Sequence, residues 1–202
     1  MKPRMVVGLA LLLLAGCDDS KTPLSNPQDS KPDEKLAGVW RFRGENGEVG
    51  YYHIGQAGEK LPQGVMRVVG VMHREGKIEP PSELLMFPTT LDGKTYLNIT
   101  SGKEGQVKLI EEKGWKAVDA YFIFKYKVEG NELLVWVIDG DAKKRAIESG
   151  KIKGVIEKKK FATTVKFTDT TENMARFVAQ AGDTLYPNKP IRLERIEGAG
   201  KK

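Results

Sequence analysis

The chain of 202 residues contains two histidines, His53 and His73, and one cysteine, Cys17. One cysteine excludes a disulfide framework and a thiolate metal cluster. The histidines stand 20 residues apart with no local carboxylate cluster beside them, so no zinc or calcium spacing is present. Both fall on expected strands or strand ends and read as surface or rim residues. No Gly-x-Ser-x-Gly appears, which removes the nucleophile elbow of many serine hydrolases. Gly93-Lys94-Thr95 matches the end of a phosphate-binding loop, but proline occupies position 88, where that loop needs glycine. A β-type run follows instead of a helix, so the stretch reads as a hairpin turn. The sequence therefore offers no catalytic set, no metal site and no cofactor motif, and a non-enzymatic protein is expected.

Long apolar runs are also missing. The longest, over residues 6–14, is too short for a membrane-spanning helix, which needs about 20 residues. It follows Lys2 and Arg4 and precedes Ala15 and Gly16, the three-part layout of a secretory signal peptide over residues 1–16. Removing Lys2 and Arg4 with that leader takes the formal charge from +6 to +4. The remaining lysines are interspersed with Glu and Asp, as in "KLIEEKGWK", which suits a solvated surface and not a nucleic-acid stripe.

Leu14-Ala15-Gly16-Cys17 resembles the lipobox of bacterial lipoproteins. The resemblance implies cleavage before Cys17, acylation of its thiol and a membrane anchor in the cell envelope, facing the periplasm. An unpaired thiol is a liability in an oxidising compartment, and acylation removes it. Each buried methylene adds about 0.8 kcal/mol, so several chains anchor stably. Asp18 and Asp19 resemble the inner-membrane retention signal of enteric-type lipoproteins; they also suit the start of a polar tether, and inner against outer membrane stays open.

Residues 17–34 hold three prolines, three serines and four aspartates with a single leucine, a composition too polar to offset its ordering entropy. A flexible tether is expected there, holding the body off the bilayer. Residues 35–197 have the length of one domain, and 198–202 read as a frayed tail. Within the domain, alternating and β-branched runs recur between Gly, Asn, Asp and Pro: "GVWRFR", "EVGYYHIG", "GVMRVVGVMH", "ELLMF", "KTYLNIT", "AYFIFKYKV", "ELLVWVI", "TTVKF" and "PIRLERI". So many short strands predict a mainly β fold, an antiparallel barrel or sandwich. Phe122, Phe124, Tyr126 and Val128 share one strand face, Gly130-Asn131 turns the chain, and the arm through Trp136 is apolar on both faces. Such an arm is buried on two sides or lines a cavity on one. One or two short helices are predicted, over 141–150 with Asp141 as N-cap and over 169–182 with Asp169 and Glu172 as a capping box. The proline-flanked stretch 76–93 reads as an edge strand or as a rim over a barrel mouth.

Gly38-x-Trp40 at the first strand resembles the opening of the lipocalins and fatty-acid-binding proteins, the calycins. The resemblance implies a closed barrel, a Trp40 plug at one end and an arginine of the last strand, Arg192 or Arg195, packed over it. It also implies an interior that takes a small apolar or lipid-like ligand, and Phe122, Phe124, Tyr126 and Trp136 are the candidate ligand-binding residues. The alternative is a filled β-core that binds another envelope protein through its surface.

Overall fold

The structure is a computed structural model and describes residues 20–45, 47–158 and 163–196. Cys17, the leader and the tail 198–202 lie outside the described residues.

Eight strands close into one antiparallel barrel: β1 (Gly38–Arg43), β2 (Val49–Gln56), β3 (Met66–Arg74), β5 (Ser82–Leu91), β6 (Lys94–Ser101), β7 (Phe122–Glu129), β8 (Glu132–Val137) and β11 (Ile191–Arg195). Each pairs with the next, and β11 closes on β1 through Trp40↔Arg195 and Phe42↔Leu193. Of the antiparallel barrel or sandwich that the strand pattern predicts, the structure is the closed up-and-down barrel, the calycin-like form that the Gly38-x-Trp40 resemblance implies. β4 (Lys77–Ile78) adds a short edge to β3, and β9 (Gly154–Lys158) pairs with β10 (Thr163–Phe167) in a separate hairpin. Sequence reading passes over β4 and β9, because β4 has two residues and β9 reads "GVIEK" without alternation.

Turn chemistry sets the two ends. At one end two of the connections are tight. Asp92 and Gly93 both have positive φ, 48° and 74°, as a hairpin of the I′ kind requires between Leu91 and Lys94. Gly130 at φ 57° makes the turn from Glu129 to Glu132. The other end carries the long connections, including the proline-bearing 79–81 stretch and all three helices.

Those helices are α1 (Glu104–Lys113), α2 (Gly140–Glu148) and α3 (Thr171–Ala181), one more than the sequence predicts. The extra one is α1, which is polar, buries Ile110, contains Gly105 and has no side-chain cap at Lys103, so it shows neither stripe nor start signal. α2 begins two residues earlier than expected, with Asp139 capping Ala142 N–H at 2.8 Å. In α3 the cap is Thr170, whose hydroxyl accepts from Asn173 N–H. Asp169 does other work. Its carboxylate accepts from the Asn173 side chain at 2.8 Å, Thr170 N–H at 2.9 Å and Lys153 N–H at 3.1 Å, tying α3 to the start of the β9–β10 hairpin.

The Asn173 bond, with the two backbone donors, holds the Asp169 carboxyl below its ordinary value. A depressed carboxyl stabilises the fold at pH above its unfolded value, about 4, and that contribution disappears as pH falls through the lower folded value. Asp169→Asn should therefore cost about 1 kcal/mol near neutrality, the difference between charged and neutral hydrogen bonds. Urea midpoints of the two proteins should converge as the buffer is taken below pH 4.

Two cores flank the sheet. The lumen holds Trp40, Phe42, Tyr52, Met66, Met72, Met86, Phe124, Tyr126 and Leu193. The outer face of β5, β6 and β7 presents Leu85, Phe87, Tyr96 and Ile123 to α2, α3 and residues 20–36. Leu85 and Phe87 thus point away from the lumen while Met86 points in. "ELLMF" is a central strand, paired on both sides by β3 and β6.

Residues 20–34 do not form a free tether. Ser20 is fully buried and bridges Tyr121 and Phe167, Leu24 is 2 % exposed, and Pro27 and Leu36 are buried. The polar side chains that argued for disorder are used as backbone caps and contacts. Asn98, buried outward on β6, accepts from Leu24 N–H at 2.6 Å and donates to Phe87 O and Thr89 Oγ1, and Ser25 meets Thr89 Oγ1 at 2.6 Å. The ordered body begins by Ser20, and this segment is a strap along the barrel wall.

Candidate functional site

The closed end of the barrel is plugged. Trp40 is fully buried, donates Nε1–H to Leu36 O at 2.8 Å, and lies under the Arg195 guanidinium at 4.2 Å from the ring centroid. Arg195 also donates to Ala37 O at 2.5 Å and to Lys35 O, stitching the strap to the last strand. Of the two arginines the sequence offered, Arg195 takes this place. Arg192 points outward to Glu132. Tyr126 closes the plug from the other wall, its hydroxyl donating to Asp33 at 2.8 Å.

Above the plug, Phe124, Met66, Met86 and Leu97 fill the lumen. At the far end space opens in a pocket of about 460 Å³. Its walls are Tyr52, Gly70, Met72, Leu84, Ser101 and Phe122 from the strands, with Glu79, Pro80, Pro81 and Lys103 at the rim. Gly70 is needed there, since a Cβ would stand 2.9 Å from the Tyr52 ring and 2.6 Å from Ser82 Oγ. The 79–81 stretch belongs to the mouth, while the strand after it belongs to the wall.

The mouth is apolar with a polar cluster at its edge. Arg74 donates Nε–H to Glu48 at 2.9 Å and pairs through Nη1 with Glu79 at 3.0 Å. Among the described residues the buried Tyr52 hydroxyl, Glu48 Oε2 and Arg74 Nη2 have no hydrogen-bond partner. Burial, then the nearby Glu79 carboxylate, raises the Tyr52 phenol far above its ordinary value against the pull of Arg74, so it stays a neutral O–H donor. Of these residues Tyr52 lines the pocket, and an unpaired hydroxyl in an apolar wall is what an amphiphile's polar end satisfies.

The four candidate ligand residues divide. Phe122 lines the pocket, and Phe124 stands behind it with ring centroids 6.3 Å apart. Tyr126 belongs to the closed-end plug. Trp136 is on the outer face of β8, packed against the outer core under Lys125 Nζ at 4.3 Å. The doubly apolar β8 explains this. Val135 and Leu133 face the lumen, and Trp136 and Ile138 face the covering layer, a division that sequence alternation leaves open. Tyr52, Met72 and Leu84 were missed as wall residues, although the alternation in β2, β3 and β5 placed them on inward faces once a barrel was assumed.

His53 and His73 are exposed on β2 and β3, His73 lying edge-on to Tyr51 with centroids 6.3 Å apart. No group of three or more potential metal ligands assembles among the described residues. A second depression, of about 790 Å³, lies outside the barrel between α2 and α3, with Ala142, Ala146 and Phe177 in its floor and Arg145 and Lys151 at its edge. It contains none of the orphaned buried atoms that mark the mouth.

Comparison with protein-family models, curated proteins and solved structures found no match to this chain.

Proposed function

We propose that the protein is a non-enzymatic envelope lipoprotein, anchored through Cys17 and facing the periplasm, whose barrel mouth binds a small amphiphile with an apolar body. The lipobox-like stretch supports the anchor. The mouth pocket carries the binding reading: about 460 Å³ falls in the range of small-ligand sites, and the Tyr52 hydroxyl in its wall is unpaired. The packed lumen below Phe124 sets a limit on the ligand, which occupies the mouth and does not thread the barrel. The rival reading, a partner protein on the surface, draws its support from the open cleft between α2 and α3.

A dansylated fatty acid tests the pocket. The wild type should enhance dansyl emission on titration, and Leu84→Trp, which places an indole in the mouth from a half-exposed position, should weaken binding at least about tenfold, or 1.4 kcal/mol. Equal affinity in the two proteins would remove the mouth as the binding site and leave the outer cleft.

A further inference from the structure

The strap and the mouth pocket meet at one end of the barrel. Ser20 N–H donates to Tyr121 O at 3.0 Å and Tyr121 N–H donates back to Ser20 O at 2.9 Å. Tyr121 directly precedes Phe122, a wall of the mouth. Lys21 N–H then donates to Phe167 O at 2.8 Å. From there the strap runs along the wall to Asp33, at the plug beneath Tyr126. The described chain therefore starts at the mouth end and reaches the closed end by Asp33, before the first strand begins.

Cys17 precedes Ser20 by three residues. Three residues of fully extended chain reach at most about 11 Å. A lipid on Cys17 thus cannot hold the body off a bilayer, and it brings the mouth end down to the surface. That end also carries the exposed apolar side chains. Ile78, 67 % exposed, stands on β4 beside Lys77 at the rim, and Val155, 43 % exposed, pairs with Lys166 next to the Phe167 that binds Lys21. These are the two large apolar side chains left exposed among the described residues, and each has a lysine beside it. The Lys166 ammonium is held by Asp119 O at 2.6 Å, while Ile78 beside Lys77 suits the boundary between headgroups and acyl chains, where the stem is buried and the ammonium meets phosphate.

We infer that the mouth rim rests on the phospholipid bilayer that anchors the chain, with Ile78 at the acyl boundary, and that the pocket exchanges a membrane-resident amphiphile with that bilayer. This rests on the acylation of Cys17 and the mouth pocket proposed above.

Full-length lipidated protein in vesicles of phosphatidylcholine and phosphatidylglycerol tests it. Ile78→Cys at the rim and Glu129→Cys at the closed end each take one fluorophore, since the acylated Cys17 does not react. Lipids carrying a headgroup nitroxide should quench the label at 78 several-fold and leave the label at 129 near its unquenched level. Equal quenching at both sites, or stronger quenching at 129, overturns the inference. So does an intact mass that shows Cys17 unmodified. In parallel, titration of the unanchored Cys17→Ser chain with the dansylated fatty acid judges the pocket by itself. Binding there with no difference in quenching sinks the orientation alone, whereas no binding sinks the pocket and with it the exchange.

Discussion

Trp40→Ala should destabilise the protein by about 3–5 kcal/mol, the range for removing a buried aromatic, and lower the Tm by roughly 10 °C for a chain of this size. Trp40 is fully buried where three parts of the chain meet: the strap through Leu36 O, the last strand through Arg195, and β1 itself. Losing the indole removes its packing, opens a cavity against Leu36 and leaves the guanidinium without a face. Urea unfolding measures the total, and Arg195→Lys separates the parts. Lysine keeps the charge, but it has no planar fork to reach both Ala37 O and Lys35 O while covering the ring, so about 1 kcal/mol or more should be lost there. A Trp40→Ala protein with an unchanged midpoint would mean that the closed end is not where the barrel is locked.

Leu24→Ala should cost about 2–5 kcal/mol through a different route. Leu24 is 2 % exposed, in the outer core with Phe87, Tyr121 and Phe167, and its N–H is held by Asn98. Truncation weakens the strap along its length and leaves the barrel closure intact, so the loss should appear first as lost amide protection. Hydrogen exchange over 20–36 should accelerate by orders of magnitude while β6 and β7 stay protected. If residues 20–34 were the free linker that their composition suggests, Leu24→Ala would leave both stability and exchange unchanged.

The strap shows where sequence reading stops. Its serines, aspartates and prolines have the composition of a disordered linker, and nothing local distinguishes Asn98, sitting 74 residues away, as the acceptor waiting for Leu24 N–H. Composition measures how little a segment can bury by itself. It is silent about a groove that another part of the chain supplies. The barrel strands were legible for the opposite reason, because inward and outward positions alternate along each strand and turns such as Asp92-Gly93 are encoded by their own residues. Gly38-x-Trp40 led to the correct end of the barrel and to a choice of two arginines. Register then selected Arg195, which stands directly opposite Trp40, over Arg192, whose side chain faces out.

The candidate site was legible in part. Phe122 and Phe124 came from alternation in β7, and Trp136 was misplaced because β8 is apolar on both faces and only the covering layer of α2 and α3 decides which face is which. The polar cluster of Glu48, Arg74 and Glu79 had no motif to announce it. Its members come from two stretches, the turn before β2 and the end of β3 with its connection to β5, which the pairing of Val49 with His73 brings together.

Native mass spectrometry of the protein released gently from host membranes tests the central claim most directly. The wild type should carry a non-covalent small-molecule adduct in addition to its acyl chains, and Leu84→Trp, equally acylated, should lack it. A wild type free of any such adduct, or the same adduct retained by Leu84→Trp, would contradict the mouth as a ligand site.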